Sequence, residues 1–204
     1  MKSLLIFFNK YKFPIILICI YCFFTILTWG KWGDFVYDSF REAIIPQAIL
    51  DGKIMYKDIT CMYPPLVYYF HSFLYYIFGQ SLNVLYFAAI IITLLIYGFV
   101  YYIIKLKSSD ITAFISVFSI MCALTFRIQS WHAVSSWYLP YSYAIMYSLL
   151  FIIISFVCFI LYLEKKEMKY IYMSFFFAGM SSAFKLDFLY FIILPIFYLL
   201  KTKS

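Results

Sequence analysis

The sequence predicts an all-α, polytopic transmembrane helical bundle of about six spans, with one sizeable loop near its start. Two features of its composition and patterning predict this. The 204 residues are 66% hydrophobic and only 12% charged, and the apolar residues fall into runs about as long as a bilayer is thick. The lysines cluster at alternate ends of those runs, the bias that orients membrane proteins. Helices are the expected spanning element because they satisfy their own backbone polar groups in lipid.

The first span is predicted over 13–29. It is preceded by Lys2, Lys10 and Lys12 and followed by the bulky Thr28-Trp29-Gly30-Lys31-Trp32, which lacks the small residues of a cleavage site, so the span is expected to be retained. Residues 30–83 form the predicted extracytoplasmic loop of a single membrane domain, 1–204. Within it 38–50 has helical periodicity, with Phe40, Ile44 and Ala48 on one stripe. Pro46 is expected to kink this helix, because it removes an interior donor, and Asp51-Gly52 to end it. A second loop helix is predicted over 64–78, opening with proline and closing before Gly79. Making it a span would invert every later loop, so it is placed along the interface as an amphipathic helix.

Spans are then predicted at 84–104, 111–126, 141–163, 170–184 and 188–200, the last two joined by the tight turn Lys185-Leu186-Asp187. With the N-terminus in the cytoplasm, the inner segments carry ten lysines against Asp110, Glu164 and Glu167, while the outer segments balance six bases with six acids. The net charge of +7 is therefore wholly cytoplasmic. It predicts cytoplasmic N- and C-termini in a multi-pass plasma (inner) membrane protein, and is no argument for nucleic acid. The five cysteines make no disulfide framework, since Cys19, Cys22, Cys122 and Cys158 lie in predicted spans and Cys61 stands alone outside.

Chemistry is concentrated in the loop. Asp34, Asp38, Arg41 and Glu42 fall within ten residues, and a membrane protein keeps such groups where water, a partner or a substrate compensates their desolvation. Asp34 and Asp38 read as solvated loop acids or a helix cap, or as a carboxylate taking a proton from an acceptor hydroxyl. Arg41 is spaced to pair with Asp38, and Arg41–Glu42 also reads as a surface ion pair of little energetic weight. Asp58 reads as a turn-closing acid. Lys185 reads as a lysine snorkelling from a turn or as a phosphate contact. Arg127 and His132 face the same compartment. No glycine-rich phosphate loop, metal-ligand cluster or Ser/His/Asp arrangement is present. Two carboxylates at the Asp34/Asp38 spacing could hold a divalent cation with phosphate, but no cofactor is firmly implied.

The order of motifs carries a resemblance. Asp34-Phe35-Val36-Tyr37-Asp38-Ser39-Phe40-Arg41-Glu42 is followed by Gly52-Lys53-Ile54-Met55-Tyr56-Lys57-Asp58, then Tyr63-Pro64-Pro65-Leu66 and Phe78-Gly79. This succession resembles the first extracytoplasmic loop of GT-C glycosyltransferases, in the bacterial branch of protein-mannosyltransferase-like and lipid A aminoarabinose-transferase-like proteins. Weaker echoes at 139–144 and 179–185 extend it over the whole chain.

The resemblance implies a glycosyltransferase that moves a sugar from a polyprenyl-phosphate donor to an acceptor on the extracytoplasmic side. It implies Asp38 as the base, with Asp34 second, and Asp58, Arg41 and Glu42 on the substrate side. Lys185 and Arg127 would then stand near the carrier phosphate. Family members run to several hundred residues with more spans, so this chain matches their N-terminal half. That implies membrane lipids and a second membrane chain completing the fold as partners. The alternative is a non-catalytic subunit or truncated remnant that binds lipid-phosphate or a partner chain.

Overall fold

The computed structural model describes residues 2–30, 39–126, 137, 140 and 142–203, and it is all-helical, without a β-strand, among them. In chain order the helices are α1 (Lys2–Thr28), α2 (Ser39–Leu50), α3 (Leu66–Phe78), α4 (Leu82–Lys107) and α5 (Asp110–Ile120), which runs into a π-helical turn over Met121–Thr125. Then come α6 (Tyr143–Lys165), α7 (Met168–Phe184), a 3-10 segment Leu186–Ile192, and α8 (Ile193–Lys203). Both predicted loop helices are present as α2 and α3.

Three helices are long and apolar enough to cross a membrane: Tyr11–Thr28, Leu82–Lys107 and Tyr143–Lys165. Shorter apolar helices, Asp110–Thr125 and Leu186–Tyr198, lie where the sequence places further spans, as does α7. The first of the three begins at a break. Tyr11 leaves helical geometry one turn before Pro14, whose ring crowds the preceding turn and whose missing N–H leaves the Lys10 carbonyl without its helical partner. Side chains pointing away from the bundle are largely apolar, among them Phe23, Ile26, Phe87, Ile91, Ile111 and Phe176, as expected of surfaces facing lipid.

Packing between spans uses small and hydroxyl side chains. The Ser148 hydroxyl donates to the Ser181 carbonyl at 2.8 Å and the Ser181 hydroxyl returns a bond to the Ser148 carbonyl at 2.9 Å. One heptad away, Ser155 donates to the Ser174 carbonyl at 2.8 Å. The two pairs run in opposite chain directions, which registers α6 antiparallel to α7, with Ala178 buried between them. Such residues let helix backbones approach where lipid offers no hydrophobic drive for association.

The bundle has two unlike ends. At one, Lys107 meets Glu164 at 3.7 Å, Lys105 meets Asp110 at 2.6 Å, and Lys166 reaches the Tyr198 hydroxyl at 3.2 Å. The lysine-rich connections thus gather on one side, as the charge pattern requires. At the other end Trp29 packs edge-on against Tyr86 at 5.8 Å, and α2 and α3 lie over the start of α6 and the end of α7.

Candidate functional site: a buried polar cluster beneath the loop helices

The loop helices are fixed by local chemistry at their ends. At the C-terminus of α2 the Lys53 N–H bonds the Ala48 carbonyl and the Gly52 N–H bonds the Ile49 carbonyl, both at 3.0 Å, with Gly52 at φ +87°. This is a Schellman stop, and it needs the left-handed conformation that glycine adopts without cost to a Cβ. The turn after it is closed by Asp58, whose carboxylate accepts the Ile54 N–H at 2.9 Å. The Tyr56 hydroxyl then donates to the Tyr63 carbonyl at 2.7 Å, tying the turn to the segment that enters α3. Pro65 opens α3, and the Gly79 N–H closes it on the Tyr75 carbonyl at 2.9 Å.

α3 is amphipathic in an inverted sense. Val67, Tyr68, His71, Ser72 and Tyr75 are buried, while Phe70, Phe73, Tyr76, Ile77 and Phe78 are exposed. Its polar groups therefore face inward. His71 is 0% exposed, and its Nε2 lies 2.9 Å from the Tyr147 hydroxyl of α6. Its ring also stands edge-on to Tyr143 at 4.8 Å.

Glu42, in the first turn of α2, is the centre of the cluster. It too is 0% exposed, which corrects the expectation of a surface ion pair with Arg41. The contact itself is present: Arg41 Nη2 lies 3.3 Å from Glu42 Oε1, and the guanidinium sits over the Tyr63 ring at 4.5 Å. The Tyr68 hydroxyl donates to the same oxygen at 3.4 Å. The N–H of Tyr143, in the first turn of α6 where no carbonyl of the same helix is in reach, also acts on the carboxylate. Burial raises the Glu42 pKa to about 7, against the opposing pull of Arg41, Tyr143 and Tyr68. Burial likewise raises the Tyr68 hydroxyl, reinforced by the Glu42 charge, so Tyr68 remains a donor. The His71 imidazole is driven the other way, down to about 3, by its own burial. It is a neutral ring at physiological pH.

The carboxylate is fully enclosed by protein. What it does is bind α2 to α3 and to the N-terminus of α6. The same cluster reaches the far side of the site. The Tyr147 ring stacks on Phe184 at 5.1 Å, and Phe184 is the last residue of α7, immediately before Lys185. Lys185 is extended between α7 and the 3-10 segment, with its side chain 20% exposed and its ammonium 3.4 Å from Asp187. Arg41, Glu42 and Lys185 are thus brought to one end of the bundle. Asp58 sits in the turn before α3. Asp34, Asp38, Arg127 and His132 lie outside the described residues.

Sequence reasoning placed Glu42 on the substrate side and passed over Tyr68, His71 and Tyr147. One signal was available. Tyr68, His71, Ser72 and Tyr75 recur at three- and four-residue spacing and put a polar stripe on an otherwise apolar helix. Tyr147 gave none, being one tyrosine among 22.

Described residues that are all helical, with helices long and apolar enough to span and a polar cluster gathered at one end, define an integral membrane protein. Residues 62–204 match the family model described as dolichyl-phosphate-mannose-protein mannosyltransferase, and the chain belongs to that family of membrane glycosyltransferases. The match takes in α3, the cluster residues of α6 and Lys185, and begins after Asp34, Asp38, Glu42 and Asp58. No curated protein and no solved structure matches the chain.

Proposed function

We propose that this chain transfers a sugar, mannose or a related glycose, from a polyprenyl-phosphate carrier to an acceptor hydroxyl on the extracytoplasmic side of the membrane. In this reading the acceptor oxygen attacks the sugar's anomeric carbon and the bond from that carbon to the phosphate oxygen breaks. The phosphate leaves with the electron pair, and the acceptor proton passes to the Asp38 carboxylate. Asp34 and Asp58 are supporting acids. Lys185, with Arg127, offsets the charge of the departing phosphate.

The observation that carries the reading is the family match together with the position of Lys185. A half-buried ammonium at the end of α7 stands on the same side of the bundle as the loop helices that follow Asp34 and Asp38. A lipid-borne donor demands a site at the membrane boundary, and a phosphate leaving group demands a cation there.

Purified chain given a radiolabelled polyprenyl-phosphate sugar tests the two roles separately. Asp38→Asn is expected to lower kcat at least ~100-fold with donor KM little changed, the scale on which general bases act. Lys185→Met is expected to raise donor KM as well. Full activity in Asp38→Asn would remove Asp38 from the role of base.

A further inference from the structure

The lower half of the polar cluster contains a backbone irregularity that the transfer reading does not use. In an α-helix each carbonyl accepts the N–H four residues on, and the residue four beyond Glu42 is Pro46, which has no N–H. α2 nevertheless runs through Pro46 as one helix, Ser39–Leu50. The Glu42 carbonyl is therefore left without its helical partner, in a region where Glu42 is fully enclosed. A buried carbonyl in that state costs about 1–3 kcal/mol unless another donor takes it.

The donor at hand is His71. The Glu42 carbonyl is the backbone group that acts on the His71 ring, pulling against its desolvation. His71 Nδ1 is buried and has no hydrogen-bond partner of good geometry among the described residues, so it too is a polar group in need of one. Its opposite nitrogen, Nε2, holds the Tyr147 hydroxyl at 2.9 Å. A neutral imidazole has one N–H and one acceptor, so donation from Nδ1 to the carbonyl leaves Nε2 to accept from Tyr147. Both ends of the ring are then used.

We propose that His71 is a positioning residue, whose ring bridges the Glu42 carbonyl freed by Pro46 to the Tyr147 hydroxyl and so fixes the first turn of α2 against α6. The segment carrying Asp34 and Asp38 leads directly into that first turn. Tyr147 in turn stacks on Phe184, next to Lys185. The bridge therefore ties the first turn of α2 to the face of α6 that leads to Phe184 and Lys185. Its catalytic consequence rests on the transfer reading above, whereas the bridge itself does not.

The test has two readouts. In chain labelled with 15N-histidine and held in lipid nanodiscs, the His71 signals, assigned by their loss in His71→Asn, are expected to show an Nδ1–H tautomer with unprotonated Nε2. Pro46→Ala returns an N–H to the Glu42 carbonyl and is expected to shift the Nδ1 resonance. Tyr147→Phe keeps the ring on Phe184 and is expected to shift Nε2, which guards against a Pro46 variant that does not fold. In transfer assays His71→Ala is expected to lower kcat ~10- to 100-fold with donor KM within about threefold, the cost of a small misplacement of reacting groups. His71→Asn, whose amide N–H stands where Nδ1–H stood, is expected to recover part of that loss.

An Nε2–H tautomer in the wild-type chain overturns the bridge, as do resonances indifferent to Tyr147→Phe. A folded His71→Ala with full kcat overturns the positioning role. A chain that shows the bridge but transfers no sugar contradicts the transfer reading, and transfer with the wrong tautomer contradicts the bridge.

Discussion

Two buried residues of the described chain contribute to its pH response in opposite directions. Glu42 has its pKa raised from 4.5 to about 7 by burial, so the folded chain keeps a proton that the unfolded chain releases. Its contribution to stability is complete below pH 4.5 and is lost as pH rises toward about 7. His71 is lowered from 6.5 to about 3, so the unfolded chain takes up a proton that the folded chain refuses. Its contribution is complete above pH 6.5 and is lost as pH falls toward about 3. Between pH 4.5 and 6.5 the two slopes oppose each other. Thermal unfolding in detergent across pH 4–8 should therefore be nearly flat in that window for the wild-type chain. Glu42→Gln should leave a Tm that rises with pH up to about 6.5, and His71→Asn a Tm that falls with pH from about 4.5 to 7. Identical profiles in all three proteins would contradict the buried placement of both groups. Neither shift was legible from the residues alone. Glu42 sits beside Arg41 in a charged stretch that reads as surface, and only the tertiary approach of α3 and α6 takes it out of water.

The loop helices owe their boundaries to single residues, and those were legible. Gly52 ends α2 because the Schellman stop requires φ +87°, and no atom lies within 4 Å of where its Cβ would stand. Gly52→Ala should therefore cost about 1 kcal/mol through backbone strain alone, read as a lowered Tm with an unchanged helical spectrum. Pro65 and Gly79 bracket α3 as the sequence predicts, and α2 starts at Ser39, one residue from its expected start. Pro46 was expected to kink α2; the helix runs on through it from Ser39 to Leu50, and the proposed bridge gives the carbonyl it strands a donor in α3. Such a compensation comes from a residue 25 positions away in the chain, which no local pattern encodes. The serine ladder between α6 and α7 is of the same kind. Ser148 and Ser155 lie one heptad apart, as do Ser174 and Ser181, but only the antiparallel register pairs them. Ser148→Ala with Ser155→Ala should lower stability by about 1 kcal/mol, near 0.6 for each interhelical bond, and a larger side chain at Ser148 should cost more by wedging the helices apart.

The whole molecule divides its polarity between two ends. Lys105, Lys107, Lys165, Lys166 and Lys169 gather at one, and Arg41, Glu42 and Lys185 at the other. That division was readable in the order of lysines along the chain, because charge segregation by loop survives whatever the packing is. The number of crossings was less so: three helices meet the length and hydropathy of a span, while α5, α7 and α8 are shorter. If the lysine-rich end is cytoplasmic, a cysteine at Met62, which is 93% exposed, should react with an impermeant thiol reagent on intact cells in a cysteine-free background. A cysteine at Lys107 should react only after permeabilisation, and the reverse pattern would invert the orientation. In the proposed function the first-loop acids and the ammonium of Lys185 act together in one sugar transfer. The most direct measurement is release of free polyprenyl phosphate coupled to the appearance of labelled glycosylated acceptor, using the purified chain in nanodiscs and a panel of polyprenyl-phosphate sugars. Equimolar formation of both products is expected from the wild-type chain, and of neither from Asp38→Asn with intact folding. A well-folded wild-type chain that forms neither product with any donor would contradict the proposed function.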